Sequence, residues 1–247
     1  MVSALKEKLS AIRRIKGLIH LLVALGSVAL SAEGKATPHR SLTGYWLWPD
    51  MQDLSKRRDK DLFILQGRFF LKGTAFGFTP IGIKPNSVRS TNRIHLVFRV
   101  DQLVPTPVMM EMINSKIQAW EHAGVPVAGI QIDFDSPTFK LLQYAEFLKE
   151  VRARLAKQFI LTSTGLGDWI TTGNQKDLAK LYQFTSEIFF QLYQGQSPLT
   201  PSLEVNQRLA RFDHPFRVGI LGSQKIKTHE MKLLTSNPRF RGLVLFR

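Results

Sequence analysis

Apolar residues in this chain fall into short runs, and several of these runs are separated by stretches with helical spacing. Eight runs have strand character: Gly44–Trp48, Leu62–Gln66, Arg93–Phe98, Val127–Phe134, Phe159–Thr162, Glu187–Tyr193, Phe216–Ile220 and Gly242–Phe246. They are apolar or alternating, rich in Val, Ile, Phe and Tyr, and bounded by Gly, Pro or polar residues. Met110, Ile113, Ile117 and Trp120 recur at helix spacing, with Gly124 fitted to end the helix. Leu141, Ala145, Leu148, Arg152 and Leu155 mark the next helical face. Ser136 is placed to cap it, and Pro137 suits its first position. Leu178 with Leu181, Leu203 with Leu209, and Met231 with Leu234 mark shorter helices.

Strands that alternate with helices predict a parallel sheet with right-handed crossovers. Eight such units close into a (β/α)8 barrel of the TIM type, so the expected class is α/β. The first third is irregular. Asp50 to Lys60 is charged and short for a helix, and Gln66 to Thr91 is rich in Gly and Pro. That segment predicts an added hairpin or a long loop. An open α/β sheet is the alternative architecture.

The most informative stretch is Gly129-Ile130-Gln131-Ile132-Asp133-Phe134-Asp135. Side chains alternate along a strand, so Gln131, Asp133 and Asp135 share one face, and Ile130, Ile132 and Phe134 share the other. The apolar set can pack on helices. The polar set needs a wet or hydrogen-bonded place, because an unpaired buried carboxylate is costly. A barrel mouth supplies one. The two carboxylates stand ~6.6 Å apart along the backbone by strand rise, a spacing that suits acid chemistry.

The chain has 247 residues, enough for one barrel-sized domain, and no cysteine. Disulfides, thiolate metal sites and a cysteine nucleophile are thereby excluded. Lys6, Lys8, Arg13, Arg14 and Lys16 precede an apolar run from Leu18 to Leu30, with the small residues Ala29, Ser31 and Ala32 around its end. This order is that of a secretory signal, with cleavage after Ser31 or Ala32. The run of 13 residues is short of the ~20 that span a membrane. An N-terminal anchor and an amphipathic first helix are the other readings. The expected organisation is a signal or anchor over 1–31 and one barrel domain over 40–247. The protein is then exported, periplasmic or extracellular, or held at the inner membrane by that segment alone.

The net charge is +15, and the first 31 residues supply +4 of it. The remaining basic residues are dispersed over separate segments, and no zinc-finger, RNP or P-loop pattern accompanies them. A solvated basic surface explains them, so no nucleic-acid partner is expected. The six histidines are scattered without metal-ligand spacing. No metal or other cofactor is expected, and His95 reads as a hydrogen-bonded packing residue.

Active sites of such barrels lie at the C-terminal ends of the strands. There the sequence places Asp133 and Asp135, Arg99, Asp168 and Trp169, Gln191 and Tyr193, and Trp48. Carboxylates serve glycosidic cleavage, and aromatic faces stack on sugars. Each has a bland alternative. Asp135 can cap the following helix, Asp133 can be a buried acceptor for Arg99, Asp168 and Trp169 can be ordinary loop, and the aromatic residues can be packing.

Gly129 to Thr138, then Leu161 to Leu166 with Asp168-Trp169, Phe190 to Gly195, and Pro215 to Gly219 carry a resemblance to an uncharacterised bacterial family, domain-of-unknown-function family 3142. The likeness runs from about Gly44 to the C-terminus. More distantly, Gly129 to Asp135 resembles the fourth-strand motif of chitinase-like family-eighteen hydrolases, Asp-Gly-x-Asp-x-Asp-x-Glu. Asp133 falls on its last aspartate, which orients the substrate acetamido group, and Asp135 falls on the glutamate that protonates the leaving oxygen. Gln131 and Ala128 replace the motif's other two carboxylates, and Asp135 is one methylene shorter than glutamate. Tyr193 matches a sixth-strand tyrosine, with Gln194 where that pair has aspartate.

These readings combine into an expectation of an exported glycoside hydrolase-like barrel acting on a cell-envelope or extracellular glycan. Asp135 would be the general acid and Asp133 an ionised partner. Tyr193, Asp168, Gln191 and Arg99 would bind sugar hydroxyls, and Trp48 or Trp169 would stack. The alternative is a non-catalytic glycan-binding or envelope-structural barrel.

Overall fold

In the computed structural model, which describes residues 42–48, 59–85, 93–103 and 107–246, the apolar runs become strands. β1 (Leu42–Leu47) and β2 (Asp61–Lys72) are followed by β3 (Ala75–Pro80), an antiparallel partner of β2. β4 (Ile94–Val100), β5 (Val127–Asp133), β6 (Ile160–Leu166) and β7 (Glu187–Gln191) come next. The short β8 (Tyr193–Gln194) and β9 (Ser197–Pro198) pair antiparallel, and β10 (Phe216–Leu221) and β11 (Phe240–Phe246) complete the set. β1 pairs in parallel with both β2 and β11. The ring β1-β2-β4-β5-β6-β7-β10-β11 therefore closes on itself. This is the eight-stranded parallel barrel expected; an open sheet would leave β1 with one neighbour.

The helices lie between strands as the periodicity predicts. They are α1 (Pro107–His122), α2 (Leu141–Arg154), α3 (Trp169–Thr172), α4 (Gln175–Tyr182), α5 (Leu203–Leu209) and α6 (Thr228–Ser236). α1 buries Met110, Ile113, Ile117 and Trp120, and Gly124 follows with φ +77°. That left-handed conformation favours glycine. No helix among the described residues is long and apolar enough to cross a membrane.

The strands separate two cores. Leu62, Ile64, Leu96, Phe98, Ile130, Ile132, Ile188, Phe190 and Leu243 face the helices. Trp46, Phe63, Leu65, Val97, Phe189 and Val244 fill the barrel's waist. Alternate residues of one strand serve the two layers, as the twofold period of a strand requires.

The Gly-rich first third is the added hairpin rather than the long loop: β2 runs past its barrel section and folds back on β3 through a turn at Gly73, φ +62°. Other expectations change. Ser136 does not cap a helix. Its hydroxyl donates to the Pro137 carbonyl at 3.2 Å, and a 3-10 turn at Thr138–Lys140 leads into α2 without a side-chain cap. Asp135 is likewise no cap. Leu203 is not a core position of α5; it is 65% exposed, whereas Leu209 is buried. The signal or anchor expected over 1–31, the start of the barrel domain at 40 and the segment 49–58 lie outside the described residues.

Candidate functional site

Seven of the eight barrel strands, all but β10, contribute residues to a cavity of about 720 Å³ at the C-terminal mouth. β5 delivers the acids. Ile132 is anchored in the helix-facing core, which turns Asp133 inward on alternation, and Asp135, just past the end of the strand, lines the same cavity. One turn of the pleat deeper, Gln131 Oε1 accepts from Trp46 Nε1 at 2.6 Å. Gly219 leaves room for that indole; a Cβ there would stand 2.3 Å from a ring carbon of Trp46.

Asp133 is 6% exposed and saturated with donors. Arg99 Nη1 donates to its Oδ2 at 3.1 Å, Thr164 Oγ1 to its Oδ1 at 3.0 Å, and Gln191 Nε2 to Oδ1 at 3.5 Å. Burial pushes the Asp133 carboxyl above its usual range, Arg99 and Thr164 pull it back, and the neighbouring Asp135 charge adds to the rise. Asp135 differs. Its side chain is 45% exposed, and it accepts from Arg99 Nη2 at 2.7 Å. For Arg99, burial works against the charge, yet the two carboxylates outweigh it and hold the guanidinium above its ordinary value. Bonds of this charge-assisted kind are the strong ones.

The opposite wall is aromatic. Tyr193 stacks on Phe246 at 5.4 Å between ring centroids and meets Trp46 edge-on at 6.3 Å. Trp48 packs edge-on against Phe246 at 5.4 Å. Burial, with Asp133 nearby, raises the Tyr193 phenol well above its ordinary value, so it is a neutral donor. The turn after Tyr193 brings Gln194 and Gln196 to the rim. The arrangement sets a carboxylate pair with one cation across from flat apolar surfaces. Such a site can hydrogen-bond hydroxyls on one side of a ring and stack its carbon face on the other.

Asp133, Asp135, Arg99, Gln191, Tyr193 and Trp48 thus meet in one cavity. Two expected members do not reach it. Trp169 is fully buried, donates from Nε1 to the Ser136 carbonyl at 2.7 Å and packs edge-on against Tyr144. It is a core residue rather than a stacking platform, because Gly165 lacks the Cβ that would stand 2.8 Å from its ring. Asp168 is exposed in the turn before α3, where its carbonyl accepts from Thr171 and Thr172, and it does not line the cavity. His95 also departs from expectation. It is buried and stacked on Phe63 at 4.6 Å, yet neither ring nitrogen has a hydrogen-bond partner among the described residues. Trp46, Thr164, Gln194, Gln196 and Phe246 were not singled out as site residues. Thr164 was within reach, since Thr162 and Thr164 alternate on β6 beside the acids.

Residues 93–212 match the family model of a domain of unknown function, DUF3142. The DUF3142 match runs from β4 through α5, so it contains Arg99, Asp133, Asp135, Thr164, Gln191 and Tyr193. The remaining aromatic wall, Trp46, Trp48 and Phe246, comes from β1 and β11 outside the DUF3142 match. No curated protein matches the chain. Among the described residues, no group of three or more His, Asp or Glu side chains is arranged to hold a metal ion.

Proposed function

We propose that this protein is a glycoside hydrolase-like barrel that takes a cell-envelope or extracellular glycan into its C-terminal mouth. One observation carries the reading. A half-exposed carboxylate, Asp135, faces the same cavity as a buried carboxylate, a neutral tyrosine and an aromatic wall. Among the described lining residues, Asp133 and Asp135 are the only carboxylates, so the acid and charge-stabilising roles of glycoside cleavage fall to this pair. Asp135, the more accessible member, gives its proton to the leaving oxygen as the bond from the anomeric carbon to that oxygen breaks. Asp133 supports the positive charge at that carbon. Water adds to the carbon, and its proton returns to the carboxylate pair.

The test is incubation with a panel of envelope and extracellular glycans, with products read by mass spectrometry and binding by calorimetry. We expect cleavage of at least one glycan, and loss of cleavage but not of binding or thermal stability in Asp135→Asn. Undiminished turnover in that variant refutes the assignment. A non-catalytic glycan-binding barrel is the second reading, favoured by the single guanidinium that engages both carboxylates. It predicts binding with no product from any glycan in the panel.

Export to the periplasm or beyond is part of the same proposal. It is supported by the basic, apolar and small-residue order of the first 32 residues. Mass spectrometry of protein from its native cells should find a mature chain beginning just after Ser31 or Ala32. An intact Met1 on a cytoplasmic chain would count against export.

A further inference from the structure

Arg99 lies near the end of β4, in register with Asp133 on β5. That strand pairing sets the direction of Asp133, but β5 ends there, two residues before Asp135. No ladder therefore aims Asp135. Its side chain is tied back to the barrel by Arg99 Nη2, while Nη1 of the same group holds Asp133. The other oxygen of Asp133 is occupied by Thr164 and Gln191.

We infer that Arg99 is a positioning residue of the proposed reaction rather than a sugar ligand: it aims the Asp135 carboxylate into the cavity and sets its positive charge between the two aspartates. The inference rests on the hydrolase reading for its catalytic consequence only. Two adjacent carboxylates without a cation take up a proton readily, because like charges disfavour full ionisation. Arg99 supplies the missing charge. Among the described residues lining the cavity, the other titratable group is Tyr193 from β8; Tyr144 of α2 lies on the helix side, with its hydroxyl on the Ile132 carbonyl. Burial keeps both phenols neutral, so neither can take over this role.

Hydrolysis by this pair needs one proton on it. Activity should therefore rise as pH falls, and Arg99 should set where that rise begins. The experiment is a carbon-13 carboxylate NMR titration of the full chain, wild type against Arg99→Met and Arg99→Lys. We expect the pair in Arg99→Met to take up its first proton about one pH unit or more higher than in wild type. Arg99→Lys should titrate close to wild type. Where hydrolysis is measured, the pH profile of kcat should move in the same direction with KM little changed. If Arg99→Met does not fold, Arg99→Gln gives the same comparison. A titration in the neutral variant that superimposes on wild type overturns the inference. So does a rise in KM with an unmoved pH profile, which is the signature of a lost sugar ligand. The titration does not depend on turnover. A wild type that cleaves nothing defeats the hydrolase reading while the NMR result still decides the role of Arg99.

Discussion

Asp133 and His95 are both buried inside the barrel, and their surroundings treat their charges differently. Asp133 is fed by an arginine, a threonine and a glutamine. His95 sits against the ring of Phe63 with no hydrogen-bond partner among the described residues, and desolvation by burial lowers its pKa to about 4. Asp61 raises the value, whereas Arg93 and Arg217 lower it further. A base held below its unfolded value binds fewer protons in the folded state. The stability it contributes is complete above the unfolded pKa of about 6.5 and is lost as pH falls from there toward the folded value. Between near pH 7 and about pH 5 this loss should be about 2 kcal/mol. His95→Phe removes the titration and keeps the stacking geometry. Urea unfolding at both pH values should show the acid-induced loss in wild type exceeding that in His95→Phe by about this amount. Equal losses would show that His95 acquires its proton without cost in the fold.

The elements differ in how plainly the sequence announces them. β5 was legible because its twofold alternation is uninterrupted from Gly129 to Asp135, and a strand can bury the isoleucines only by presenting the acids on the other side. α1 was legible because its apolar stripe is regular and Gly124 ends it. The arm formed by β2 and β3 was legible only as an added hairpin or a long loop, because its far half is half-exposed and Gly-rich, so neither period dominates. There Gly67 and Gly77 admit the rings of Phe78 and Phe70; a Cβ would stand 2.2 Å and 2.5 Å from them. Trp169 misled for a related reason. A tryptophan after Gly-Leu-Gly-Asp looks like a rim residue, and only the strand-to-helix turn shows that Gly165 opens a pocket for its ring. The cavity wall of Trp46, Tyr193 and Phe246 joins β1, β8 and β11, which are distant in the chain. Register across the closed sheet brings them together, and single-strand patterns carry no record of it. Arg99 was placed at the mouth correctly, but its engagement with both aspartates depends on the β4–β5 register.

Seen along its axis, the barrel interior is polar at both ends and apolar at the waist. The mouth carries Arg99 with Asp133 and Asp135, and the waist is Trp46, Phe63, Leu65, Val97, Phe189 and Val244. At the opposite end Arg217, its side chain 7% exposed, donates to Glu187 at 2.7 Å, Asp61 at 2.6 Å and the Thr43 hydroxyl at 3.1 Å. Those partners belong to β7, β2 and β1, so one side chain from β10 reaches across the floor to both strands of the β1–β2 pairing that closes the ring. Its guanidinium also lies over Phe63 and Phe189, 5.6 Å from each ring centroid. Removing a buried cation strands its carboxylates, which commonly costs about 3–5 kcal/mol, whereas replacing the whole cluster by neutral groups of similar volume costs far less. Arg217→Met should therefore lower stability by about that amount in denaturant unfolding. Adding Asp61→Asn and Glu187→Gln to it should recover a large part of the loss. Because the mouth residues are held by separate contacts, the proposed glycan binding should be unaffected at low temperature in both variants. Equal stability of Arg217→Met and wild type would mean that the floor cluster contributes nothing net to closure. A triple variant no better than the single would mean that Arg217 acts by filling space beneath the phenylalanines rather than by its charge.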